Sequence, residues 1–168
     1  MGDINLSPNL STSRDTIGVG DAVELYGGGD YSFPFLYVGD YLRSADLTVG
    51  NLESIISDTG TNTKTTVGVS LRAVPEAING LLYAGFDVVS VANNHFGDWG
   101  RDAMTDSMDR LADAGISYIG GGADYNEAHS PVIKEINGQR IALLGYNCTP
   151  MYDENNWLGQ YPVSKWIA

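Results

Sequence analysis

"FDVVSVANNHFGDWG", residues 86–100, is the stretch that decides the fold. Its first seven residues are β-branched or apolar apart from one aspartate and one serine, the composition of a short buried strand. The strand breaks into Asn93-Asn94-His95 and then into glycines, so the apolar run stops at amides and an imidazole instead of a simple turn. Before it, "PEAINGLLYAG" (75–85) sets a proline at a helix start and Gly85 as its C-cap. After it, "RDAMTDSMDRLADAG" (101–115) places Met104, Met108 and Leu111 on one helical face and ends at Gly115, and "ISYIGGG" (116–122) reads as the next strand. Helix, strand, helix and strand in this order predict an α/β fold whose sheet is at least partly parallel.

Working outward, residues 7–32 are rich in Gly, Ser, Thr and Asp and read as a long surface loop. The segment 33–46 reads as a helix with Pro34 near its start, and "DLTVGNLE" as a short strand from Asp46 to Val49 that stops at Gly50. A polar loop (57–66) leads to "VGVSLRA" (67–73), which alternates like a strand. Residues 130–147 read as a hairpin with its turn at Asn137-Gly138, and the remainder as polar and aromatic loop. There is no internal repeat and no linker, so residues 1–168 are expected to form a single domain.

The chain carries 9 Lys and Arg against 21 Asp and Glu, a net charge of -12. That field opposes the phosphate backbone, which argues against nucleic acid as a partner. The acidic residues are spread along the chain, the pattern of a solvated surface. A single cysteine, Cys148, permits no intrachain disulfide and does not identify a compartment. No run approaches the roughly 20 apolar residues of a membrane span, and the amino terminus lacks a signal-peptide pattern. A targeting segment is therefore expected to have been removed or to lie upstream.

In open α/β sheets, ligands bind beyond the carboxyl ends of the strands. Three places there carry polar side chains: Asp3 near the chain start, Asn51 and Glu53 in "GNLE", and Asn93-Asn94-His95. Carboxylate and amide oxygens with imidazole nitrogen are the donor set of hard or borderline divalent metals, Mn, Zn, Fe or Mg. Each piece also has a structural reading. Gly-Asp pairs are common in turns, Asn51 could cap one, Glu53 could be a solvated carboxylate, and Asn93-Asn94 could form a turn and helix cap with His95 hydrogen-bonded beside it.

Taken in order, "GDINLS", "LRSADLTVGNLES" and "AGFDVVSVANNHFGDWG" resemble the CapA family of poly-gamma-glutamate capsule-synthesis proteins, and "LADAGISYIGGGADYNEAHSPVIKEINGQRIALLGY" is similar to the family's stretch on the carboxyl side of the Asn-Asn-His motif. The resemblance covers nearly the whole chain. It implies the fold of the calcineurin-like metallophosphoesterases, an αββα sandwich of mixed β-sheets around a two-metal site. Asp3 matches the first metal-binding aspartate. Asn51 stands where related phosphoesterases have a bridging aspartate, with Glu53 supplying charge. Asn94 matches the metal-ligating asparagine, and His95 the histidine that protonates the leaving group or stabilises the transition state. The family's first strand and later histidine motifs are missing, so the chain is expected to be an amino-terminal portion with an incomplete shell.

The function implied is a metal-dependent hydrolase-like component of capsule biosynthesis. A non-catalytic module that binds the polymer or its synthesis machinery, and a plain phosphoesterase, are the alternatives. Partners implied are poly-gamma-glutamate or another anionic substrate and membrane capsule-synthesis proteins, at an extracytoplasmic, surface or membrane-anchored location. A polyanion bound by so acidic a chain needs a bridging cation or a local basic patch, and no such patch is visible. Asn93, Tyr146 and Asn147 are candidates for lining the substrate cleft, with packing an equal reading for the last two. His129 reads as structural, Gly120-Gly121-Gly122 as a strand-to-helix bend, and Cys148 as packed.

Overall fold

The structure is a computed structural model that describes residues 2–8, 16–63 and 69–147. Cys148, the aromatic tail after it and the first part of the expected strand at 67–73 lie outside the described residues.

The strand signal around residue 88 becomes the centre of a four-stranded parallel sheet. Strands β1 (Asp3–Ile4), β2 (Val49–Leu52), β5 (Val88–Ser90) and β6 (Ser117–Ile119) lie side by side in the order β1-β2-β5-β6. Asp3 pairs with Asn51, Asn51 with Ser90, and Ser90 with Ile119, so one cross-strand level runs through all four. Because the strands are parallel, every chain segment leaving them departs from the same edge. Two further strands, β3 (Ile55–Ile56) and β4 (Arg72–Ala73), pair in parallel, and β7 (Val132–Ile136) and β8 (Gln139–Leu143) form the antiparallel hairpin. Its turn has Asn137 and Gly138 both at positive φ, as the Asn-Gly signal requires. The α/β class and the parallel sheet are present. Among the described residues each sheet is of one kind only, and the mixed sheets implied by the resemblance are not seen there.

Helices cover the sheet where the periodicity placed them. α3 (Ile78–Ala84), entered through a 3-10 turn at Pro75–Ala77, ends at Gly85 in the left-handed region. α4 (Gly100–Asp113) buries Ala103, Met104, Ser107, Met108 and Leu111 and packs on β3 and β6. The core joins these to Leu52, Ile55, Ile56, Val89 and Phe96, all inaccessible to solvent or nearly so, while Phe35 meets Phe86 edge-on. No helix among the described residues is long and apolar enough to cross a membrane.

Three local expectations need correction. The loop expected over 7–32 contains α1 (Val19–Gly27), anchored by the Asp21 carboxylate accepting from the Gly18 N–H and closed by Gly28 at positive φ. The helix expected over 33–46 is broken into a 3-10 turn at Phe33–Phe35 and α2 (Gly39–Arg43). The strand expected at Asp46–Val49 runs instead over Val49–Leu52, with Gly50 inside it and not at its end.

Gly50 is required by close approach. A Cβ there would stand 2.5 Å from Ile4 Cδ1 and 2.8 Å from Phe86 Cε1. Gly50→Ala is therefore expected to destabilise the chain by about 1–3 kcal/mol through overpacking. Urea unfolding followed by circular dichroism checks this, and a variant as stable as the parent would remove the packing argument.

Candidate functional site

Glu53 follows β2 directly, and Asn93 and His95 follow β5, so the sheet edge gathers them beside Asp3 of β1 and Asn51 of β2. Asp3 lies within its strand, not after a strand end, which differs from the expectation. The side chains form one connected network. Asn51 Nδ2 donates to Asp3 Oδ1 at 2.8 Å and to Glu53 Oε2 at 2.6 Å. Asn51 Oδ1 accepts from Asn93 Nδ2 at 3.1 Å.

Asn93 is the fastener of this edge. It is only 6% exposed. Its Nδ2 also donates to the Leu52 carbonyl (2.8 Å), and its Oδ1 accepts from the backbone N–H groups of His95 (3.0 Å) and Phe96 (2.9 Å). These bonds hold the turn after β5 against the end of β2. The amide is thus committed to protein partners, whereas the sequence offers it as a substrate contact.

His95 is held from the other side by Asp98. His95 Nδ1 and Asp98 Oδ2 lie 2.8 Å apart. Since a carboxylate only accepts, Nδ1 carries the proton, and Nε2 is the nitrogen turned toward Glu53, 3.8 Å from Oε1. The Asp98 side chain is 3% exposed, and its Oδ2 also accepts from the Leu71 N–H at 3.1 Å. The Asp98 carbonyl in turn accepts from Thr63 N and Thr63 Oγ1. Asp98 does not stand out in the sequence, because Gly97-Asp98 looks like one more turn pair. The signal that could find it is the three-residue spacing from His95 within a glycine-bounded turn.

The other candidates divide. Asn94 is half-buried next to the cluster and takes no part in the hydrogen bonds that join Asp3, Asn51, Glu53 and Asn93. Tyr146 is exposed and meets the His129 ring edge-on, with centroids 5.8 Å apart, while His129 itself stacks on Tyr125 and bonds its carbonyl. Tyr146 therefore lies against α5 (Tyr125–Ala128), outside the network. Asn147 is half-buried beyond it. The segment carrying both passes the end of β6, where Gly120, at positive φ, is squeezed between Ala92 and the Gly145 carbonyl.

The donor set can be compared with the divalent cation that the resemblance implies. Among the described residues no group of three or more His, Cys, Asp or Glu side chains could hold a metal ion. Asp3 and Glu53 do face a common point, but that point is taken by the Asn51 nitrogen. The described residues do not by themselves fit a two-metal shell.

An α/β domain with a hydrogen-bonded cluster of carboxylates, amides and a carboxylate-held imidazole at the carboxyl edge of a parallel sheet is the class that fold and site define. The chain belongs to the family described as bacterial capsule synthesis protein PGA_cap, which matches residues 1–164. It is 31% identical over 121 residues to the capsule biosynthesis protein CapA of Bacillus anthracis, covering 71% of this chain and 29% of that protein. It is 27% identical over 113 residues to the PGA biosynthesis protein CapA of Bacillus subtilis (67% of this chain, 30% of that protein). It is also 30% identical over 102 residues to a probable polyglutamine synthesis accessory protein of Mycobacterium tuberculosis (61% and 27%). The chain thus spans less than a third of the length of these curated relatives.

Proposed function

We propose that this chain is part of a component of bacterial capsule synthesis that acts in poly-gamma-glutamate production, and that its working centre is a hydrolase-like proton-transfer site at His95. Family membership supports the first half, together with relatives named for capsule, PGA and polyglutamine synthesis. The observation that carries the second is the line Asp98–His95–Glu53: a buried carboxylate fixes one imidazole nitrogen and turns the other toward a second carboxylate. Such a histidine moves protons at Nε2.

On an amide link of the polymer, water would attack the carbonyl carbon and form the new C–O bond. Nε2 would take the water proton and deliver it to the departing nitrogen as the C–N bond breaks. Glu53, beside the ring, would stabilise the imidazolium between these transfers. Partners in the membrane synthesis machinery and an extracytoplasmic location belong to the same proposal. The divalent cation is left out of this reading, because Asn51 occupies the point that Asp3 and Glu53 share.

The test uses the full-length parent incubated with poly-gamma-glutamate, counting new amino ends. His95→Ala is expected to lower the rate by roughly 10²–10⁴-fold, the usual worth of a positioned acid–base group. An unchanged rate would abandon the proton-transfer site. A parent that binds the polymer without cutting it, equally well with and without His95, would support the second reading, a non-catalytic binding module. The completeness of the hydrogen bonds around Asn51 and Asn93 favours that alternative.

A further inference from the structure

The orientation of Asn51 is dictated by the backbone through Asn93. The Asn93 atom that accepts from the two backbone N–H groups of His95 and Phe96 must be oxygen, because nothing can reverse a backbone donor. The other end of that amide is then nitrogen, and it donates to the Leu52 carbonyl and to Asn51. Asn51 must therefore show its oxygen to Asn93, which leaves its NH₂ facing Asp3 and Glu53. Each of its two N–H bonds meets one carboxylate, at 2.8 and 2.6 Å. A divalent cation between the same two oxygens would sit at about 2.0–2.6 Å from each, close to where the nitrogen stands.

We propose that the Asn51 carboxamide takes the place of a cation between Asp3 and Glu53. It is a positioning residue: two charge-assisted hydrogen bonds hold the carboxylates at the sheet edge, and Asn93 fixes its polarity so that the oxygen cannot turn toward them. A cation enters that space only if Asn51 rotates, which breaks both carboxylate bonds and sets its NH₂ against the Asn93 NH₂. The site is then held together by the chain alone. This holds whether or not His95 turns over substrate, since it concerns how Asp3 and Glu53 are held.

The experiment is Mn²⁺ titration of the wild-type chain and of Asn51→Asp, read by calorimetry, by thermal unfolding with and without a chelator, and by ¹⁵N NMR of the Asn51 side chain. In the wild type the Asn51 NH₂ pair should be visible and unbroadened at stoichiometric Mn²⁺, with a midpoint indifferent to the chelator. Asn51→Asp replaces the two donors by a third carboxylate. It should bind Mn²⁺ roughly tenfold or more tightly than the wild type, as added ligand charge does, and its midpoint should rise on adding the ion. Broadening of the wild-type Asn51 signals at stoichiometric Mn²⁺, or a variant with no gain in affinity, would overturn the proposal. A variant that folds only when Mn²⁺ is present supports it, and if the variant folds under neither condition the wild-type NMR reading decides alone. None of these readouts depends on polymer cleavage, so failure here is distinguishable from failure of the proton-transfer reading.

Discussion

Asn93→Ala should lower the stability of the chain by about 3–4 kcal/mol, with a fall in the thermal midpoint of roughly 10 °C. The size reflects the groups that the truncation strands. The N–H groups of His95 and Phe96 and the Leu52 carbonyl all lose their Asn93 partner at a site that is nearly closed to water. Water can enter the space left by the amide and recover part of the loss, which keeps the figure below the sum of separate penalties. Asn93→Asp tests the same account without a cavity. It preserves the oxygen that faces the turn but aims a second oxygen at the Leu52 carbonyl and at Asn51 Oδ1, so it should cost as much as alanine at neutral pH or more. Denaturant unfolding of both variants checks this, and a loss within about 1 kcal/mol of zero for either would mean that the turn after β5 does not depend on this side chain.

The second large effect is at Asp98. Asp98→Ala removes a buried carboxylate that accepts from the Leu71 backbone and from His95, for an expected cost of about 3 kcal/mol. Asp98→Asn keeps an oxygen in place for both donors and should cost about 1 kcal/mol, the difference between charged and neutral acceptors. The alanine variant has a second signature that a packing defect alone does not give. With the carboxylate gone from Nδ1, the His95 proton is released from that nitrogen, and the ¹⁵N shifts of the ring should move away from the Nδ1–H pattern of the parent. A ring that keeps the parent tautomer in Asp98→Ala would separate Asp98 from the orientation of His95.

How much of this is legible in the sequence depends on the range of the forces involved. The ends of α3 and α4 and the Asn137-Gly138 hairpin are readable because a glycine at positive φ is a local requirement. α1 is not, since "VGDAVELYG" is a short helical run set between Gly18 and Gly28-Gly29 inside a stretch (7–32) whose Gly, Ser, Thr and Asp content is that of a loop. Its Gly20 is demanded by contact with Pro8 rather than by a turn. The strand at Val49–Leu52 is misplaced by a sequence reading because Gly50 looks like a stop, whereas the space its missing Cβ leaves is filled by Ile4 and Phe86 from elsewhere in the chain. Strands of two residues such as β1, β3 and β4 are too short to alternate visibly. At the site, the polar residue types around Asn51 and Asn93 are visible and their gathering at one edge follows from parallel pairing. The direction of each amide is not, because it is set by backbone groups of other segments.

The Asp98 carboxylate receives Leu71 and the Asp98 carbonyl receives Thr63, while His95 hangs from the same carboxylate oxygen as Leu71. Three stretches of chain that are separate in sequence are therefore tied to one residue and are expected to open and close together. A shift of the Asp98 carboxylate, whether it starts at Leu71 or at Thr63, is expected to reach the imidazole as a change in the direction of its Nδ1 bond.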